Sequence, residues 1–304
     1  MRPGSGASAL GCAWLMAIGM TLVHAQDGAR LATADARQPV ARSDENSRIA
    51  HTQLLDKARR GGIDIYFEGD SITRRWGTSD AAYRDFLDNW TRNFFGWNAA
   101  NFGWGADTVQ NILWRLTEGE LDDVHPKVIV VLAGTNNVGG MPRQGVDAAV
   151  VENVVTGMTA MLDVMRRKAP NATVILTGIT PRTDSNKGAS VMPTIDAINA
   201  RIASLADGTR VRYLNINRAL AREDGTPQEG MTVDGLHLSV AGYQVWADAL
   251  KPIFTEILGP PAATDHAPPP TGDPSAARPP TGDPSGGRPP TGDPAAPSTR
   301  SPTR

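Results

Sequence analysis

Four short stretches of this chain carry side chains that could do chemistry together. Gly69-Asp70-Ser71 offers a hydroxyl, Gly105-Ala106-Asp107 a tight turn, Gly134-Thr135-Asn136-Asn137 a pair of carboxamides, and Asp234-Gly235-Leu236-His237 a carboxylate and an imidazole three residues apart. A hydroxyl is a weak nucleophile until a neighbouring base takes its proton, and a carboxylate can orient an imidazole for that task. Together these are the parts of a serine hydrolase. Taken singly, each also has a plain reading. Asp70 or Ser71 could cap a helix starting at Ile72, Asn136 could be an ordinary turn residue, Asp234-Gly235 a plain turn, and His237 a helix N-terminal residue.

Periodicity supplies the elements that would have to bring the four stretches together. Residues 63–72 read IDIYFEGDSI. Ile63, Ile65 and Phe67 alternate with Asp64, Tyr66 and Glu68, which predicts a strand. Gly69 then permits a sharp turn that lifts Ser71 out at the strand's carboxyl end. Further strands are predicted over 97–102, 127–133, 172–177 and 211–216. The third, KVIVVLA, is a continuous apolar run of the kind that suits a parallel strand covered on both faces. Helical spacing is found over 47–60, 83–95, 108–116 (with Asp107 as its N-cap), 146–168, 192–206 and from Ser239 to about Leu258. Strand and helix thus alternate five times, which predicts one doubly wound parallel α/β sheet. The four polar stretches follow strands one, two, three and five, so they face the same edge of that sheet.

Composition narrows the chemistry further. The 304 residues carry a net charge of −2, so no strong field draws the chain to nucleic acid or an anionic membrane. The one cysteine, Cys12, lies in an N-terminal leader. A processed chain would have no thiol, which removes disulfides, a cysteine nucleophile and cysteine-ligated zinc together. Of five histidines, His24 is in the leader and His266 in the tail. His51, His125 and His237 remain as candidate bases, too few for a multi-histidine metal site. His125 is placed at the opposite edge of the sheet and His51 on the surface of the leading helix. Trp76, Trp104 and Trp114 could line an acyl pocket, with packing the favoured reading. Arg74-Arg75 reads as a solvated pair.

The ends differ from the middle. Residues 1–25 read as a secretory signal. Arg2 opens it, Ala9 to Val23 is apolar but too short to span a bilayer comfortably, and Val23-His24-Ala25 suits cleavage after Ala25. This predicts a secreted or periplasmic protein without stable membrane insertion. Residues 26–47 read as a flexible lead-in, 48–258 as the folded domain, and 259–304 as a disordered tail. The tail holds 14 of the 23 prolines, and PPTGDP starts at Pro269, Pro279 and Pro289. Such a segment buries too little apolar surface to offset its ordering entropy, so an extended, mobile tail is expected. Nothing in it names a partner.

With these motifs in this order the chain resembles the SGNH hydrolases, also called GDSL esterases. Gly69-Asp70-Ser71-Ile72 stands as block one, Gly134-Thr135-Asn136-Asn137 as block three and Asp234-Gly235-Leu236-His237 as block five. Residues 101–121, NFGWGADTVQNILWRLTEGEL, and 126–137, PKVIVVLAGTNN, are similar to the branch that contains the catalytic subunits of intracellular platelet-activating-factor acetylhydrolase and bacterial relatives. The resemblance implies a flavodoxin-like, doubly wound three-layer sandwich with a five-stranded parallel sheet. It also implies Ser71 as nucleophile, His237 as general base and Asp234 as its orienting partner. Oxyanion donors would be the Ser71 backbone N–H, the Asn136 amide and the backbone N–H of Ala106, where the family has glycine. If that position needs positive φ, the Cβ of Ala106 constrains the turn. Asp70, Trp76, Trp104, Gly105 and Asn137 are placed near the substrate pocket. No metal or cofactor is required. The expected function is an exported esterase removing short acyl groups, acetyl above all, from a glycan or small-molecule ester. Two alternatives stand beside it: a lipid-directed esterase of the lysophospholipase or platelet-activating-factor-acetylhydrolase kind, and a catalytically weak glycan-binding surface protein, supported only by Ala106.

Overall fold

Alternation along one strand decides the layers. In β3 (Val128–Leu132) every residue is buried. Val128, Val130 and Leu132 face one apolar layer while Ile129 and Val131 face the other, because successive side chains leave a strand on opposite sides. The computed structural model describes residues 34–139, 145–183 and 190–277. The leader over 1–25 and the PPTGDP copies at Pro279 and Pro289 lie outside them.

Around β3 stand β1 (Ile65–Gly69), β2 (Ala99–Asn101), β4 (Thr173–Thr177) and β5 (Val211–Leu214). All pair in parallel in the order β2-β1-β3-β4-β5, the flavodoxin-like order. The helices are α1 (Glu45–Arg60), α2 (Ser71–Trp76), α3 (Arg84–Phe94), α4 (Val109–Arg115), α5 (Thr135–Val138), α6 (Ala148–Lys168), α7 (Met192–Ala203), α8 (Asn217–Leu220) and α9 (Val240–Leu258). Residues of α4, α6 and α7, with Leu54 and Ala58 of α1, cover one face of the sheet. Residues of α2, α3 and α9 cover the other. The order changes direction between β1 and β3, so a crevice opens beyond the carboxyl ends of these two strands.

The second face is held by rings. Trp76 is fully buried and stacks on Trp246 (5.1 Å between centroids) and Tyr243 (4.9 Å), with Phe67, Trp90 and Phe94 edge-on to it. Each such ring adds roughly 0.5–1.5 kcal/mol per aromatic pair beyond the area it removes from water. The cluster fixes α2 against α3 and α9.

Local chemistry moved several element boundaries. α1 starts at Glu45, two residues before the predicted 47, because the Asp44 carboxylate caps it by accepting from Ser47 N at 2.8 Å. α4 is capped by Thr108, which forms a capping box with Asn111, and not by Asp107, whose carboxylate is taken by Arg115.

Both ends of the domain are also corrected. From residue 34 the lead-in packs on the body. Ala36 is buried and its N–H donates to Asn153 Oδ1 at 2.8 Å, and Asn111 Nδ2 donates to Val40 O at 2.9 Å. The tail follows the surface as far as residue 277. Trp97 Nε1 donates to Gly259 O at 3.0 Å, and Gly96 N to Asp265 Oδ2 at 2.7 Å. Composition ruled out a tail with its own core, but a segment can still dock through polar contacts to a finished one.

Candidate active site

The site begins where β1 stops. Gly69 lies so close to β3 that a Cβ there would sit 2.5 Å from Leu132 O, so only glycine lets the chain turn at that point. Asp70 Oδ1 then accepts from Ile72 N at 2.9 Å and α2 starts on Ser71. Both readings of Gly69-Asp70-Ser71 therefore hold: Asp70 caps a helix, and that helix presents the Ser71 hydroxyl.

Ser71 Oγ is 2.8 Å from His237 Nε2, and His237 Nδ1 is 2.7 Å from Asp234 Oδ2. The two residues come from one turn. Asp234 Oδ1 accepts from Leu236 N at 3.1 Å and His237 N at 2.8 Å, which sets the imidazole's position over the carboxylate. Burial works to raise the Asp234 pKa but is outweighed. Hydrogen bonds from the His237 ring and backbone hold this carboxyl well below the usual carboxylate range. Its charge is thus in place whenever the imidazole accepts a proton.

The arginine pair read as solvated is buried. Arg75 sits one helical turn after Ser71, with Nη1 3.5 Å from Asp234 Oδ2 and its guanidinium 5.2 Å over the Tyr83 ring. Arg74 bonds Asp80 at 2.7 Å and lies 4.6 Å over the Trp104 ring. Each guanidinium finds both a carboxylate and an aromatic face, which is what allows a planar cation to leave water.

The second wall of the site is the turn after β2 together with α5. Ala106 is exposed and has φ +62. An L-residue with a Cβ pays on the order of 1–2 kcal/mol to stand there, so the turn keeps a glycine-like conformation in spite of alanine. Asn136 Nδ2 donates to Asp107 O at 2.9 Å. That bond ties α5 to the turn and leaves the amide a second N–H. Gly105 O accepts from Arg42 Nη1 at 2.9 Å.

Beneath this turn lies a buried charge network that the sequence reading missed. Arg115 bonds Asp107 (2.8 Å), Glu68 (2.6 Å) and Glu120 (2.5 Å). Glu68 Oε1 also accepts from Gly69 N at 2.9 Å. His51, placed on the surface by the sequence, is instead mostly buried, with Nδ1 2.7 Å from Glu120 Oε1 and its ring 4.6 Å from that of Trp114. Burial pushes the Glu68 carboxyl up to about 8 against the pull of Arg115, with Glu120 adding to the push. Burial raises Asp107 as well. The network joins the end of β1 to the Ala106 turn, so both walls of the site rest on one guanidinium.

Four proposed pocket residues are spent on structure. Trp76 belongs to the ring cluster. Trp104 is buried and donates from Nε1 to Ser47 Oγ at 2.7 Å. Asn137 Oδ1 accepts from Val109 N at 2.9 Å and its Nδ2 donates to Gln110 Oε1 at 2.8 Å. Asp70 is the buried cap. His125 is exposed and precedes β3, away from the site.

An imidazole bonded to a hydroxyl on one side and a carboxylate on the other can take the hydroxyl proton during attack on a carbonyl, then return it to the leaving oxygen. Residues 67–245 match the GDSL-like lipase/acylhydrolase family. The chain belongs to this family. It is 30% identical over 229 residues to platelet-activating factor acetylhydrolase IB subunit alpha1 of Bos taurus, covering 74% of this chain and 89% of that one. It is 29% identical to the alpha2 subunit of Gallus gallus, covering 68% and 83%. The crystal structure of a GDSL-like lipase from Bacteroides thetaiotaomicron superposes with a TM-score of 0.54 at 20% identity, covering 68% of this chain and 98% of that one; this likeness is one of fold. The GDSL acylhydrolase is thus an ester hydrolase on a five-stranded parallel sheet.

The sequence reading assigns Arg75 no part in the site and does not single out Arg115. Spacing could have found the first, since position i+4 from Ser71 shares its helix face. No local signal marks Arg115, whose partners lie 5 to 47 positions away.

Proposed function

We propose that this acylhydrolase is an exported serine esterase that removes short acyl groups, acetyl above all, from a carbohydrate or small ester. The observation that carries the chemistry is the 2.8 Å approach of Ser71 Oγ to His237 Nε2, with Asp234 behind it. Ser71 Oγ bonds to the ester carbonyl carbon as His237 takes its proton. The tetrahedral intermediate collapses, the alcohol leaves with that proton, and an acyl-serine remains. Water, deprotonated by His237, then attacks the acyl carbon; Ser71 regains a proton and the carboxylic acid departs. The Ser71 and Ala106 backbone N–H groups and the Asn136 amide donate to the oxyanion. One such donor is worth about 100- to 1,000-fold in rate.

Two features support a short acyl group. Trp76 and Trp104 are held in packing and do not wall an acyl channel, and the Ala106 side of the site is exposed. The leader-like residues 1–25 and the absence of any cysteine beyond Cys12 support export. A lipid-directed esterase, of the lysophospholipase or platelet-activating-factor-acetylhydrolase kind, is the second reading, favoured by the name of the mammalian and avian relatives. An acetylhydrolase of that kind shares the acyl group with the first reading and differs on the alcohol, whereas a lysophospholipase differs on the acyl chain as well.

The test is a p-nitrophenyl ester series from acetate to palmitate with Ser71→Ala as control, followed by acetylated glycan and by platelet-activating factor. Serine-dependent turnover that falls steeply beyond butyrate and extends to the glycan is the expected result. A maximum at long chains, or turnover of the lipid alone, moves the assignment to the second reading. Absence of Ser71-dependent turnover on every ester would leave a glycan-binding role.

A further inference from the structure

The tail carries PPTGDP three times, ten residues apart. The first copy is seated on the body, and the body reads it residue by residue. Thr271 Oγ1 accepts from Lys57 Nζ at 3.0 Å, and Thr271 O accepts from Thr78 Oγ1 at 3.0 Å and Ser79 N at 3.3 Å. Gly272 runs so close that a Cβ there would lie 2.9 Å from Ser79 Oγ and 3.1 Å from Asp80 Oδ1. Asp273 donates its N–H to Asp80 Oδ1 at 2.5 Å and accepts from Asn46 Nδ2 at 3.1 Å. Pro269 and Pro270 border clefts shared with Gln53 and Arg60 on one side and Phe94 and Phe95 on the other.

The receiving groups are fixed before the peptide arrives. Lys57 is buried and its ammonium is also held by Asn101 O at 2.7 Å. Asp80 is held by Arg74 at 2.7 Å. The Lys57 ammonium and the Asn46 amide donate to the side chains of Thr271 and Asp273, and the close approach to Ser79 and Asp80 favours glycine between them. Those residues recur unchanged as Thr281-Gly282-Asp283 and Thr291-Gly292-Asp293.

We propose that this groove is a recognition site for the PPTGDP hexapeptide, and that the copy starting at Pro279 takes it in the same chain whenever the first copy leaves. Asp265, ahead of the repeats, can stay on Gly96 N while the slip feeds ten residues into the stretch that follows it. Closing a longer loop costs little, so the slipped register is disfavoured by about ten-fold or less. The local concentration of a tethered copy is in the millimolar range, which favours the same chain's own repeat over that of a neighbour. The tail is then a clasp with more than one setting.

The test uses the full chain and amide hydrogen exchange at Ser79, with the Gly96 amide as internal reference. One variant carries Gly272→Val and Asp273→Ala. A second adds Gly282→Val, Asp283→Ala, Gly292→Val and Asp293→Ala. The expected result is protection of Ser79 within about ten-fold of the parental value in the first variant and exchange at least ten-fold faster again in the second, with the first variant sedimenting like the unaltered chain. Equal exchange in the two variants would overturn the proposal. Protection in the first variant accompanied by a doubled mass would overturn same-chain occupancy and place the copy on a neighbouring molecule.

Discussion

Tyr243 Oη donates to Ile72 O at 2.7 Å. Ile72 follows the nucleophile in sequence, and Tyr243 lies in the helix that starts just after the histidine. This bond, together with the stacking of Trp76 on Tyr243 and Trp246, holds the two halves of the site in register across 171 positions of sequence. Tyr243→Phe keeps the ring and removes the bond. A buried hydrogen bond of this kind is worth about 1 kcal/mol net, so a loss of that size in thermal or urea unfolding is expected, with kcat for p-nitrophenyl acetate down about two- to ten-fold as the Ser71–His237 distance relaxes. Unchanged kcat with lowered stability would confine the bond to folding.

Removing the central groups should separate their roles. Ser71→Ala or His237→Ala is expected to lower kcat on the order of 10⁶-fold, and Asp234→Asn on the order of 10⁴-fold. The folded state should survive in each, as judged by near-ultraviolet circular dichroism. Arg75, 3.5 Å from Asp234, supports that carboxylate only at long range. Arg75→Met is therefore expected to lower kcat by about ten-fold or less. A larger loss would mean that the arginine also meets substrate.

Ala106 gives a prediction of opposite sign. At φ +62 the Cβ is a strain that Ala106→Gly relieves, while the freer unfolded chain gives back about 0.4–1 kcal/mol. The net gain in stability is expected to be about 1 kcal/mol or less, and kcat/KM on a p-nitrophenyl ester should change by less than about three-fold, because the turn already holds the conformation a glycine would choose. A rise above ten-fold would mean that alanine displaces the donor. Ala106→Val, β-branched in a region that excludes such residues, should lower kcat/KM well beyond that.

Arg115 anchors three buried carboxylates, so Arg115→Met leaves Glu68, Asp107 and Glu120 facing one another. Breaking a buried pair in this way typically costs about 3–5 kcal/mol. The urea midpoint is expected to fall accordingly, and activity with it.

Glu68 also sets a pH dependence. Its carboxyl holds a proton up to about 8 in the folded chain, against an ordinary value of 4.5. Between those values the folded state binds more protons than the unfolded one, so this contribution is fully present below about 4.5 and is lost as pH rises toward 8. Urea midpoints measured from pH 5 to 8 should decline, and Glu68→Gln should flatten the decline. Parallel declines in the two proteins would assign it to another group.

Ser71 and Asn136 were legible because each closely follows an apolar strand and a parallel sheet brings such ends together, and Asp234 and His237 because their three-residue spacing stands just ahead of the last helix. The strands themselves were found within two residues at most ends. What escaped was everything decided by distant partners. Trp76 and Trp104 look like pocket walls until their packing neighbours are known. Asp107 looks like a cap until Arg115 is placed beside it. Arg74 and Arg75 look solvated because a sequence window does not contain Asp80, Asp234 and two rings at once. The tail reads as mobile because composition measures core-forming capacity and is blind to a groove elsewhere in the chain.

The docking of Thr271 on Lys57 links positions 214 residues apart. During synthesis α1 emerges early and its lysine must wait for nearly the whole polypeptide before the last oxygen around its ammonium arrives. Burial holds that ammonium's pKa down to about 7, so the Thr271 hydroxyl meets a lysine that gives up its proton more readily than a solvated one. A chain cut short before Thr271 keeps the Asn101 carbonyl on this ammonium but lacks the Thr271 hydroxyl, so the lysine is held from one side alone until synthesis is nearly finished.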